Sequence, residues 1–316
     1  MREIKPESFK KRFDKTLKEL YPITMRESFQ RLLEKRWEKG FFVCIGLDSE
    51  LGKIPKAAQT GSVKETLLKF NREIIEATGD LVCAYKPNVA FYEAEGPQGL
   101  EALISTVGFI HATYPEVPVI LDAKRADIGH TNAAYVKAMF DIYGGDALTV
   151  HPYVGQEALQ TFLDRKEKGI FVLCRTSNPG AGEFQDLQVL KEGQRLPLYQ
   201  VVAQQVATKW NRNQNCGLVV GASYPRELKE IRWIAGDLPV LLPGIGAQGA
   251  ELTQALAAGL DSKGTGLIVN ASRSIIFASS EADFALAARR ETENLHKAIQ
   301  QYRLSLNLAK LTDREF

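Results

Sequence analysis

Two periods of apolar residues run along the chain. Short apolar runs recur at 41–47, 81–85, 117–121, 147–150, 170–174, 217–220, 240–242 and 267–269. They are rich in Val, Leu, Ile and Phe and too short for buried helices, which predicts parallel strands covered on both faces. Between them lie stretches with apolar residues at helical spacing, such as 67–75, 100–110 and 198–206. Eight strands alternating with helices predict an α/β fold, a single closed (β/α)₈ barrel of the TIM type rather than a six-stranded doubly wound sheet. Residues 1–40 read as a charged, amphipathic N-terminal helical extension, with Met25 as a possible alternative start, and 41–310 as one barrel domain. The stretch 283–308 reads as a closing helix, and 175–196, with three glycines, as a long loop of the kind that forms a lid.

Composition narrows the function classes. The 316 residues are 45% hydrophobic and 25% charged, as in a soluble globular protein. With 40 Lys plus Arg against 38 Asp plus Glu the net charge is +2, which argues against a nucleic-acid-coating surface. No apolar run approaches the ~18 residues of a membrane helix, so no membrane partner is expected. The N-terminus mixes Lys and Arg with Glu3, Glu7 and Asp14 and lacks an apolar centre, so the sequence predicts a cytoplasmic protein. Cys44, Cys83, Cys174 and Cys216 lie far apart, each in an apolar run, and predict buried, reduced thiols.

The residues that could carry chemistry gather at predicted strand ends. Asp122 and Lys124 follow the third apolar run, and their spacing of two places both side chains on one face of a strand. Asp127 comes in the next turn, where it could join the same charge cluster. Lys86 ends the second strand, in Lys86-Pro87-Asn88, and Asp48 ends the first. One such ion pair would read as a solvated pair or a helix cap. The same arrangement at three successive strands points to a site, because clustered charges shift each other's protonation.

A second constellation, Pro243-Gly244-Ile245-Gly246-Ala247-Gln248-Gly249, follows the seventh strand. It spells GxGxxG, but Asp261 arrives too early for the ribose-binding acid of a dinucleotide fold. A phosphate cradle after strands seven and eight is the other reading, with Arg273 as a bidentate cation, and a plain tight turn is a third. The four histidines show no metal-ligand spacing, so no metal and no cofactor are expected. His130 reads as an exposed helix residue, and Ser177, lacking a nucleophile elbow, as a hydrogen-bonding group.

Together these residues resemble the orotidine 5′-phosphate decarboxylases. The Asp-x-Lys-x-x-Asp-Ile-Gly-x-Thr motif stands as Asp122, Lys124, Asp127, Ile128, Gly129 and Thr131. Lys86–Glu93 and Thr176-Ser177-Asn178-Pro179 are similar to the longer bacterial branch, often called type 2, and the resemblance spans about 28–305. Ser272 departs from the Gly that many relatives of the shorter branch carry before the phosphate Arg.

The resemblance implies cofactor-independent decarboxylation of orotidine 5′-monophosphate in pyrimidine biosynthesis. By it, Lys124 would be the proton donor to C6, Asp122 would face the substrate carboxylate, and Asp48 and Lys86 would hold the ribose. Ser177 would bond the pyrimidine, while Pro243, Gly246, Gln248 and Arg273 would make the phosphate end. Asp127 and Thr131 would reach the neighbouring site of a homodimer. Three other readings stay open: a metal-dependent sugar-phosphate lyase or synthase with the same Asp-x-Lys-x-x-Asp core, a dinucleotide-dependent oxidoreductase, and a catalytically inert phosphate-binding barrel.

Overall fold

The computed structural model describes residues 26–245 and 249–312, with the side chains of 249, 250 and 307–312 left aside. Among the described residues there are ten strands: β1 (Val43–Leu47), β2 (Val82–Pro87), β3 (Ile120–Arg125), β4 (Ala147–Val150), β5 (Gly169–Arg175), β6 (Gln188–Lys191), β7 (Gln194–Pro197), β8 (Cys216–Val220), β9 (Val240–Pro243) and β10 (Leu267–Ala271). Eight of them pair in parallel, in the order β2-β1-β10-β9-β8-β5-β4-β3. Two isolated parallel bridges, Tyr85 with Val119 and Asn88 with Asp122, draw β2 and β3 together at the remaining seam. The predicted barrel is therefore present. Its strands are legible as apolar runs because they are buried on both faces, every residue of β1, β2 and β8 being buried.

The helix Phe29–Glu38 plugs the end of the barrel where the strands begin. Phe29, Leu32, Leu33 and Trp37 repeat at helical spacing and are buried. Trp37 Nε1 donates to the Leu267 carbonyl at 2.9 Å, and Phe29 meets Phe171 edge-on at 5.5 Å. Arg36 Nε donates to the Val82 carbonyl at 2.8 Å. A helix assigned by sequence to the 1–40 extension thus shares the barrel's core. Residues 1–25, including Met25, lie outside the described residues. The closing helix spans Phe284–Thr312, and Phe284 stacks on Phe70 at 5.3 Å.

The same end carries a closed polar network around Asp146, which precedes β4. The Val119 amide donates to its carboxylate at 2.9 Å, Arg26 reaches both oxygens at 3.2 Å, and His111 Nε2 lies at 3.0 Å. Burial works to raise the Asp146 pKa, but the fields of His111, Arg26 and Lys168 and the bond to His111 outweigh it and hold the carboxylate well below its usual range.

One segment differs from expectation. The stretch read as an open loop, 175–196, contains the short helix Gly182–Gln185 and most of an antiparallel hairpin, in which Gln188 faces Pro197 and Lys191 faces Gln194. Glu192 (φ +52°) and Gly193 (φ +80°) form its two-residue turn, with the positive dihedrals a tight hairpin requires. The hairpin left no apolar run in the sequence because its strands are short and largely exposed.

Candidate active site

With the strand starts plugged, the opposite mouth is free, and β1, β2 and β3 deliver their charged residues there. Lys86 Nζ donates to Asp122 Oδ2 at 2.8 Å and lies 3.8 Å from Asp48 Oδ1. Lys124 Nζ donates to Asp122 Oδ1 at 2.6 Å. Asp48, Lys86, Asp122 and Lys124 thus form one row of alternating sign. Burial alone would push the Lys86 ammonium down, but Asp122 and Asp48 more than offset it and hold its pKa above normal. Burial likewise works to raise Asp122, yet Lys86 and Lys124 keep it well below the usual carboxylate range. The end of β1 is braced from behind: Tyr92 Oη donates to the Leu47 carbonyl at 3.2 Å, and buried Asn71 donates to Tyr92 at 2.9 Å.

The pairing of Asp122 with Lys124 was expected from strand alternation, and the pair does meet, but by another route. Leu121 is opposite Leu148, while Arg125 is opposite Val150, so β3 takes four steps where β4 takes two. The extra residues form a bulge, and Lys124 has φ +48°, a left-handed conformation uncommon outside glycine. Thr149, a residue the sequence reading passed over, fills the bulge. Its Oγ1 accepts from the Ala123 and Lys124 amides at 3.1 and 3.0 Å and donates to Asp122 Oδ1 at 2.9 Å. The only sequence signal for it is a hydroxyl in an otherwise apolar strand end.

A cavity of about 200 Å³ opens onto this row. Lys86, Asp122 and Lys124 line it on one side, and Leu173, Val219 and Leu241 supply an apolar wall. Thr176, Ser177, Asn178 and Pro243 complete the lining, so the segment 175–196 begins inside the site. Ser177 sits so close to Gly221 that a Cβ there would lie 2.8 Å from the serine Cβ, which is why the neighbouring loop needs glycine at this position. Arg175 fixes the start of this segment, with Nε 3.1 Å from Asp186 and its guanidinium 4.1 Å from the centre of the Tyr224 ring.

The other predicted residues are less gathered. Arg273 opens the short helix Arg273–Ile276 after β10, is exposed, and makes no hydrogen bond or ion pair among the described residues. Ser272 occupies space that Gly46 leaves open, since a Cβ on residue 46 would lie 1.9 Å from its hydroxyl oxygen. Gly246 and Gln248 lie outside the described residues. Asp127 does not join the charge row within one chain. Its Oδ1 accepts from the Ile128 amide at 2.7 Å, and buried Asn132 receives its backbone N–H at 2.8 Å. This turn presents Ile128, His130 and Thr131 to solvent. All four cysteines are buried and unpaired, with Cys44 pushed up to about 12 by burial. Among the described residues, no cluster of His, Cys, Asp and Glu is arranged to hold a metal, and no helix is long and apolar enough to cross a membrane.

Comparison with known proteins decides among the readings of this row. The family model described as "Orotidine 5′-phosphate decarboxylase / HUMPS family" matches residues 42–288. The chain belongs to this family. It is 49% identical over 278 residues to an orotidine 5′-phosphate decarboxylase of Thermomicrobium roseum, covering 87% of this chain and 96% of that protein. It is 45% identical over 261 residues to one from Janthinobacterium, covering 82% and 93% of the two chains. The OMP decarboxylase structure of Leishmania donovani superposes with a TM-score of 0.72 at 36% identity, covering 85% of this chain and 98% of that one. In this decarboxylase family member, Asp122, Lys124 and Asp127 are the acidic and basic positions of the family-like motif, and two of the three meet in the cavity.

Proposed function

We infer that this protein decarboxylates orotidine 5′-monophosphate to uridine 5′-monophosphate and CO₂, a step of de novo pyrimidine synthesis. The observation that carries the reading is the Asp48–Lys86–Asp122–Lys124 row against an apolar wall. Breaking the bond between C6 and the carboxylate leaves an electron pair on C6 with no electron sink, so fixed positive charge must stabilise it. Lys124 supplies that charge and then the proton: one hydrogen moves from Nζ to C6, and the neutral amine recovers its proton from solvent. Asp122 lies against the substrate carboxylate, where two anions side by side favour departure of CO₂. Neighbouring carboxylates keep Lys86 charged.

Asp48 and Lys86 hold the ribose hydroxyls, and Ser177 bonds the pyrimidine. Pro243, Gly246, Gln248 and Arg273 receive the phosphate, whose binding energy closes the lid. The working unit is a homodimer in the cytoplasm, with Asp127 and Thr131 reaching the neighbouring site. Supporting this, Asp127 is unpaired with the row of its own chain, while Ile128 and Tyr153 stand 65% and 92% exposed on the same rim.

The test follows the loss of orotidine 5′-monophosphate absorbance by purified protein, with and without EDTA. Turnover unaffected by EDTA is expected. No turnover would overturn the activity, and turnover abolished by EDTA would move the protein to the metal-dependent sugar-phosphate branch.

A further inference from the structure

The charge row depends on a backbone arrangement that β3 cannot hold by itself. Where β3 takes two residues more than β4, the amides of Ala123 and Lys124 have no strand carbonyl opposite them. Even partly buried amides are costly to leave without partners, and a lysine at φ +48° adds strain. Thr149, 1% exposed at the end of β4, answers both needs with a single hydroxyl. Its oxygen receives both amides, and its one hydrogen goes to Asp122 Oδ1, the oxygen that also holds Lys124 Nζ. A hydroxyl offers one hydrogen and two lone pairs, so every bonding capacity of Thr149 is used.

We propose that Thr149 is a positioning residue of the decarboxylation, fixing the backbone of Lys124 and the carboxylate of Asp122 relative to each other. This rests on the decarboxylase reading. Thr149 is not among the residues that line the cavity. It acts through the two groups that flank the bond to be broken. Its removal therefore alters how Lys124 meets a developing carbanion, while leaving the groups that hold the nucleotide in place. Misplacing a reacting group by about 1 Å can cost about 100-fold in rate.

The experiment compares Thr149→Val, which keeps the shape and deletes the hydroxyl, with Thr149→Ser, which keeps the hydroxyl. We expect Thr149→Val to lower kcat by roughly 10- to 100-fold with KM within about threefold of wild type. Uridine 5′-monophosphate should bind it as it binds wild type, and Thr149→Ser should recover most of kcat. A kcat within twofold of wild type in the Val variant overturns the proposal. So does a Ser variant as impaired as the Val variant, or a fall in kcat matched by weaker nucleotide binding, both of which describe a merely structural threonine. If wild type itself has no decarboxylase activity, the functional reading fails. The positioning role is then judged by the crystal structure of the Val variant, where Lys124 Nζ still 2.6 Å from Asp122 overturns it and a displaced lysine upholds it.

Discussion

Asp122, partly buried, and Asp146, fully buried, lie at opposite ends of neighbouring strands of the barrel, and both carboxylates are held well below their usual range by nearby cations. Their surroundings differ. Asp146 is saturated by a backbone amide, an arginine and a histidine, and its network ties Arg26 and the helix Gly96–Thr113 to the start of β4. Asp122 sits between two ammonium groups, one of them half exposed and carried on a strained residue, and it faces a cavity. An equal direction of pKa shift therefore does not separate a structural carboxylate from one that faces a site. What separates them is an unfinished coordination shell, local backbone strain and the end of the barrel at which they lie.

Replacing Lys124 by glycine probes that difference most severely. Glycine accepts φ +48° without penalty and removes the ammonium. Turnover should fall at least ~10³-fold, the scale expected for a group acting mainly in the transition state. Thermal stability should change by no more than about 1 kcal/mol, because relief of the backbone strain offsets the lost ion pair to Asp122. A melting point several degrees lower would place Lys124 among the structural groups, and near-normal turnover would remove it from the mechanism.

Asp146→Ala should behave in the opposite way. Opening a buried ionic network and orphaning the Val119 amide should cost about 3 kcal/mol. In a chain of this size that is a drop of roughly 5 °C in melting temperature. Per folded molecule, kcat should stay near wild type. A thermal midpoint like that of wild type would show the network to be ornamental, and a collapsed kcat would show that the two ends are coupled.

How much of this contrast the sequence carried follows from burial. Strands covered on both faces leave continuous apolar runs, so β1 to β5 and β8 to β10 were readable, whereas the exposed hairpin of β6 and β7 left no pattern. Asp48, Lys86, Asp122 and Lys124 were readable because charge at the end of an apolar run is conspicuous. The bulge was not, because Asp-x-Lys reads equally well as plain strand alternation. Thr149 was hidden for the converse reason: a lone hydroxyl in a buried strand is usually a satisfied core group. Asp146 follows two glycines and looks like a turn residue, and only the fold brings Arg26 and His111 to it.

A third substitution sharpens the functional end alone. Arg273, exposed and without a partner among the described residues, has no structural work to lose. Arg273→Ala should leave the melting temperature unchanged and raise KM by roughly 10- to 100-fold, the worth of a charge-assisted bond to phosphate. An unchanged KM, read from initial rates across substrate concentrations, would contradict the phosphate role.

The smallest effect is a matter of pH. A carboxylate whose folded pKa is depressed stabilises the fold above its unfolded pKa, near 4, and loses that contribution as pH falls toward the folded value. Asp146 and Asp122 both have this sign, so wild-type stability should decline with acid below about pH 4. Asp146→Ala lacks one of the two contributions, so its gap in melting temperature from wild type should narrow between about pH 6 and about pH 3. Lys124→Gly removes one of the two cations that depress Asp122, so its acid decline should also flatten, from the opposite end of the barrel. Thermal melts of the three proteins across that range would check this. Parallel curves would mean that neither carboxylate is held down by its neighbours, and a flattened curve for only one variant would assign the acid sensitivity to that end of the barrel.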